Sequence, residues 1–109
     1  MTWGFTGAAC DREAVKACVG PGWHALLDKL IDELETLGWN GTVMQVKEKF
    51  GGLRFYIDYG NPEIWDAIDR AEHKSYEICE HCGNFGRLRT TGWMLTLCDA
   101  CEEERHPTT

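Results

Sequence analysis

Apolar residues recur at helical spacing at Trp23, Leu27, Leu30, Ile31, Leu34 and Leu37, while Asp28, Lys29, Asp32, Glu33 and Glu35 take the other side. A stripe on this period predicts an amphipathic helix over Trp23 to Leu37 with one face on a core. Gly38 is placed to end it in a left-handed cap. A shorter helix is expected over Asp11 to Val19, stopped by Gly20-Pro21-Gly22. From Thr42 to Tyr59 the pattern reads as a β-hairpin. Val43, Met44 and Val46 lead in, Gly51-Gly52 offers positive φ for the turn, and Leu53 to Ile57 lead out. A third helix then starts with Asn61 as N-cap and Pro62 at its first position, and runs to about Ile78. Its buried set is expected to be Ile64, Trp65, Ile68, Ala71, Ser75 and Ile78. The fold class is α+β. A body over residues 1–78 passes without a linker into a module over 79–105, and the two are expected to fold as one cooperative unit.

Within that module Cys79, Cys82, Cys98 and Cys101 fall as C-x2-C-x15-C-x2-C. Two residues inside each pair let both thiolates meet one ion, and fifteen between the pairs suffice for a returning hairpin. A disulfide or a redox C-x-x-C could use the same residues, but two pairs at this separation favour one structural zinc ion. Arg87 to Arg89, a Thr90-Thr91-Gly92 turn and Trp93 to Leu97 read as the hairpin. Cys98 and Cys101 then open an acidic helical turn. Knuckle, hairpin and a second pair at a helix N-terminus is the order of a treble-clef zinc finger. Four cysteines fill the tetrahedron, so His81 and His106 are expected at the surface. Cys10 and Cys18 stand outside the pattern and are expected to pack as small hydrophobes rather than as a disulfide.

The densest mixture of cations, aromatics and glycines is Lys47 to Tyr56. A two-residue Gly51-Gly52 turn would set Lys49 opposite Arg54 and put Met44, Val46, Phe50, Leu53, Phe55 and Ile57 on one face. Glu48 would then point at the core. A three-residue Phe50-Gly51-Gly52 loop would instead set Glu48 opposite Arg54. Like charges facing each other destabilise a sheet, so the first register calls for an anion. The functional reading is a contact surface of Lys47, Lys49, Arg54 and Tyr56, extended by Arg87 and Arg89 if the zinc hairpin lies alongside. The plainer reading is a solvated sheet face neutralised by the acidic helices.

Composition narrows the functions. The 109 residues are 43% hydrophobic and 27% charged, as in a folded globular chain. No long apolar run and no basic segment leading into an apolar one occur, so neither a membrane span nor a secretory signal is expected. Thiolate spacing of the zinc type points to the reducing cytosol. Eleven basic against eighteen acidic residues give −7, and four thiolates around one zinc ion add further negative charge. That field opposes nucleic acid at long range. No Ser–His–acid order, phosphate loop, H-E-x-x-H or deaminase motif is present, so catalysis is not expected. Treble-clef nucleases need histidines and an asparagine around a separate metal, and His81 and Asn84 alone make a poor case.

The segments Gly22–Leu27, Gln45–Tyr56, Ile78–Gly83 and Leu97–Cys101 occur in an order that resembles a family of small bacterial and phage proteins, in which a K-E-K-F-G-G-L-R-F-Y hairpin accompanies a zinc knuckle. The likeness spans roughly residues 20 to 104. It implies zinc at the matching cysteines and a phage or mobile-element setting, and it brings no activity. By analogy of size, charge and setting, the expected function is a protein-interaction module that inhibits a bacterial host protein, such as a defence factor of the kind anti-CRISPR proteins block. The alternative is a nucleic-acid binder using Lys47, Lys49, Arg54, Arg87 and Arg89, with Tyr56 or Trp93 as stacking platform.

Overall fold

Trp3–Ala9 forms a strand, β1, that the hydrophobic pattern does not announce. Its register against the next strand shifts between Gly4 and Ala8, and an irregularity of that kind breaks the two-residue alternation a strand is recognised by. The computed structural model describes residues 3–90 and 92–105, with side chains from Cys10 onward; His106 and Thr91, the middle of the expected turn, lie outside the described residues.

Helix α1 is Arg12–Lys16, shorter than the pattern suggested, with the Asp11 carboxylate accepting from the Glu13 and Ala14 N–H groups at 3.1 and 3.3 Å. A single 3₁₀ turn, Pro21–Trp23, leads into α2, His24–Thr36. Leu27, Leu30, Ile31 and Leu34 are buried as their period requires. The polar side of α2 receives Arg12, which pairs with Asp28, Asp32 and Glu35. Gly38 at φ +89° takes the left-handed cap.

Strands β2, Thr42–Lys49, and β3, Gly52–Tyr56, form the antiparallel hairpin, and β1 pairs with β2 to give the sheet order β1-β2-β3. Val43, Val46, Leu53 and Phe55 are buried against the helices, while Met44, expected on the core face, is only half-buried. Trp39 meets Phe55 edge-to-face at 6.1 Å. Helix α3 is Pro62–Ser75, with Asn61 capping Ile64 N–H at 2.9 Å. It buries Ile64, Ala67, Ile68, Ala71 and Ser75. Trp65 does not join them: it is 44% exposed and its indole N–H donates to Gly60 O at 2.9 Å.

The end of α3 explains why β3 tolerates being an edge. Residues 53 and 55 turn their N–H groups away from β2, where no strand follows. Leu53 N–H donates to Ser75 Oγ at 2.9 Å and Phe55 N–H to the Glu72 carboxylate at 3.0 Å. Burial raises the Glu72 carboxyl above the ordinary 4.5, with the Phe55 N–H and Arg54 acting the other way. The chain then forms a second, two-stranded sheet, β4 (Arg87–Arg89) with β5 (Leu95–Leu97), followed by α4, Asp99–Arg105.

Candidate metal centre and interaction surface

Cys79 begins a tight loop closed by Gly83, which sits at φ +86° and donates its N–H to Cys79 O at 2.9 Å. Inside the loop Cys82 N–H donates to Cys79 Sγ at 3.5 Å, and at the start of α4 Cys101 N–H donates to Cys98 Sγ at 3.4 Å. The four sulfur atoms lie within 4.8 Å of one another, with Cys82 and Cys98 at 3.6 Å. A tetrahedral zinc with Zn–S near 2.3 Å sets sulfurs about 3.8 Å apart, so the four residues fit one ion. The chemistry of the donors agrees. Burial acts to raise the Cys79 thiol, and backbone N–H groups at 98, 82 and 81 outweigh it and hold it down at about 6. Cys101 is pushed upward, chiefly by its hydrogen bond with Cys98. Four thiols so crowded share their charge poorly unless a cation sits among them. All four, like Cys10 and Cys18, are free of disulfides. Cys18 is buried in the body's core and Cys10 packs half-buried against it. Zinc in a set of four protein ligands has no open position, so its contribution is structural.

The module is docked on the body largely through backbone. Gly22 N–H donates to Glu80 O at 2.9 Å, and the Trp23 indole donates to Ile78 O at 2.8 Å. A side chain at Gly22 would run into the backbone of Cys79 and Glu80, which is why the sequence keeps glycine there. On the other flank buried Thr96 donates its hydroxyl to Gly51 O at 2.6 Å. Glu80 pairs with Thr96 twice, through Glu80 N–H to Thr96 O and Thr96 N–H to the Glu80 carboxylate, both at 2.9 Å.

That contact places the tip of the hairpin against the zinc hairpin, and the turn differs from both registers expected from the sequence. Lys49 pairs with Gly52, Glu48 with Leu53 and Lys47 with Arg54. The two-residue turn is therefore Phe50-Gly51, at φ +53° and +84°, as in the type I′ turns that favour Asn-Gly. Gly52 is needed inside the strand, because a side chain there would strike the Tyr76 phenol, and Gly51 packs on Leu88 and Leu95. Glu48, the discordant residue of the sequence, lies on the core face and receives Gly51 N–H at 2.6 Å. A phenylalanine in the left-handed region costs on the order of 1 kcal/mol relative to residues that favour it.

The facing cations are Lys47 and Arg54 rather than Lys49 and Arg54. Arg54 turns to the Tyr76 hydroxyl at 3.1 Å and to Leu53 O at 3.0 Å. Lys47 lies 5.9 Å from the Tyr56 ring centre and Lys49 5.8 Å from that of Phe50. The zinc hairpin does lie alongside, but it presents Leu88 to the turn. Arg87 and Arg89, on the other face of β4, both bind Asp99, at 3.1 and 2.7 Å. Of the described lysines and arginines, Lys29, Lys47, Lys49 and Arg54 alone lack a paired carboxylate. The structure thus brings Lys47, Lys49, Arg54 and Tyr56 together and turns Arg87 and Arg89 elsewhere. It adds Phe50 to the surface and brings it beside Trp93, the stacking platform of the nucleic-acid alternative. Phe50, 63% exposed, and Trp93, 75% exposed, flank a cleft of about 360 Å³ together with Glu48, Lys49, Gly92 and Met94. Arg105 of α4 steadies this loop by donating to Trp93 O at 2.8 Å.

Fold and site define a small α+β protein with a C-terminal zinc-type tetracysteine centre. No protein-family model, curated protein or solved structure matches the chain. No helix among the described residues is long and apolar enough to cross a membrane.

Proposed function

We propose that this chain is a zinc-stabilised, non-catalytic protein-interaction module that presents its Phe50 turn and Trp93 loop to a partner protein. One observation carries the reading: unpaired cations and exposed aromatic rings coincide where the hairpin meets the zinc hairpin. Aromatic residues and methionine at a patch centre are the composition of binding hot spots. The zinc centre serves this surface by fixing the loop that carries Trp93. Its order of knuckle, hairpin and helix-borne pair supports the treble-clef reading. Thiolate ligation supports a reducing, cytoplasmic setting. The finer role, inhibition of a bacterial host protein such as a defence factor, rests on small size, acidity and the phage-like resemblance of the sequence.

A nucleic-acid role is the second reading, favoured by the Lys47–Tyr56 and Lys49–Phe50 pairs beside Trp93. Against it stand the net charge of −7 and the Glu48 carboxylate in the cleft. A photo-crosslinking residue at position 50, with Tyr59 as an exposed control site, separates the two in bacterial lysate. The expected result is a discrete protein adduct from position 50 alone, unchanged by nuclease. An adduct consisting only of nucleic acid would overturn the proposal.

A further inference from the structure

The cleft between Phe50 and Trp93 states more about its ligand than that it is a protein. Phe50 costs backbone energy at its left-handed position and is mostly exposed, so stability does not account for a phenyl ring there. An observed strain of this kind at a surface cleft points to use of the side chain. Trp93 stands exposed on the other side, with Met94 beside it. At about 360 Å³ the cleft is at the small end of ligand-sized sites, with room for one or two side chains and none for a helix about 10 Å across.

Its polar groups are of two kinds. Lys49, one of the few cations without a carboxylate, lines the cleft, and Lys47 lies two residues before it on the same strand. Glu48 also lines it. One of its oxygens is held by Gly51 N–H, and the other has no partner among the described residues. A polyanion meets repulsion from that carboxylate. A peptide with a single acidic side chain escapes most of it, because its N–H groups can donate to Glu48 while that side chain meets Lys49.

Resting on the interaction-module reading, we infer that the Phe50–Trp93 cleft binds an extended acidic segment of the partner protein, with one large apolar side chain between the two rings and a neighbouring Asp or Glu on Lys49.

The test selects a displayed library of random peptides, about 12 residues long, on the zinc-loaded protein. Enriched sequences are expected to carry Leu, Phe, Trp or Met next to Asp or Glu. A synthetic peptide of the winning sequence should lose affinity at least about tenfold with Phe50→Asn, Trp93→Ala or Lys49→Glu. Phe50→Asn matters most, because asparagine suits the turn: its thermal midpoint should rise while binding falls, which a merely structural role does not produce. Enrichment of basic or uncharged sequences, absence of any cleft-dependent binder, or binders indifferent to Phe50→Asn and Trp93→Ala would each overturn the inference. If position 50 still crosslinks to a protein while no acidic binder emerges, the ligand chemistry falls and the module reading stands. If neither occurs, both fall.

Discussion

From Val15 to Ala71 the chain buries a continuous apolar cluster that includes Trp23, Leu27, Leu34, Val46, Leu53, Phe55 and Ile64. From Cys79 onward the buried cluster is Cys79, Leu97 and Cys98, two of them thiolate ligands, with Leu95 and Cys101 against it. The first region folds around side-chain volume. The second has too few residues to enclose a core, and a metal does what burial does elsewhere. The seam between them relies chiefly on glycine-enabled backbone contacts, the Trp23 indole and the buried Thr96 hydroxyl, with Leu88 packed on Gly51. A region without its own core can thus hold exposed aromatics such as Trp93 in a fixed position.

The largest effect expected from this division is at the metal. Cys98→Ser, or a strong chelator, should remove a binding free energy on the order of 10 kcal/mol. Metal analysis should fall from one zinc per chain, and amide exchange should speed up over residues 79–105 while α2 and β2 stay protected, an outcome that would replace the single cooperative unit expected from the sequence with two separately supported regions. Uniform loss of protection across α2 and β2 would show that the body, too, depends on zinc.

Next comes the core. Leu34→Ala removes a fully buried side chain and should cost about 2–5 kcal/mol in urea unfolding, with the zinc content of the folded protein unchanged. If zinc is lost at low urea, the two regions do not have separate supports.

At the seam, Thr96→Val leaves Gly51 O without its donor and should cost about 1–3 kcal/mol. Metal affinity should hold, and the nuclear magnetic resonance shifts of Phe50, Gly51 and Leu95 should move. Unchanged stability would mean that the hydroxyl does not couple the halves.

The smallest effect is one of pH. The Glu72 carboxyl is raised above 4.5 in the fold, so the folded chain holds that proton more tightly than the unfolded one. Its contribution is therefore fully present below 4.5 and declines as pH rises through the raised folded value. With zinc kept in excess, Glu72→Gln should flatten this slope while still accepting from Phe55 N–H. An unchanged slope would remove Glu72 as its source.

Much of this was legible in the chain. The stripe of α2, the Asn61-Pro62 start of α3, the Gly38 cap and the C-x2-C-x15-C-x2-C spacing are signals carried by periodicity or spacing along the chain itself. The remainder depends on distant partners. β1 contains two glycines and an irregular register, so no alternation betrays it. The hairpin turn shifted because Gly52 must clear Tyr76 and Gly51 must clear Leu88, neither of which a reading of residues 47–56 contains. Arg87 and Arg89 carry charge that the sequence shows, but their attachment to Asp99 follows from a strand face. Trp65 sits at a helical spacing that suits burial, yet its indole reaches Gly60 O at the helix start.

The way α3 closes the edge of β3 has a consequence for how these chains behave in company. An exposed edge is where a sheet recruits a stranger's strand and begins to grow into a fibril. With Ser75 and Glu72 occupying the outward N–H groups of Leu53 and Phe55, growth past β3 is sealed by side chains instead of by another strand. Crowding many copies together, as in overproduction, then offers no template on this flank, and Ser75→Ala with Glu72→Ala would open one.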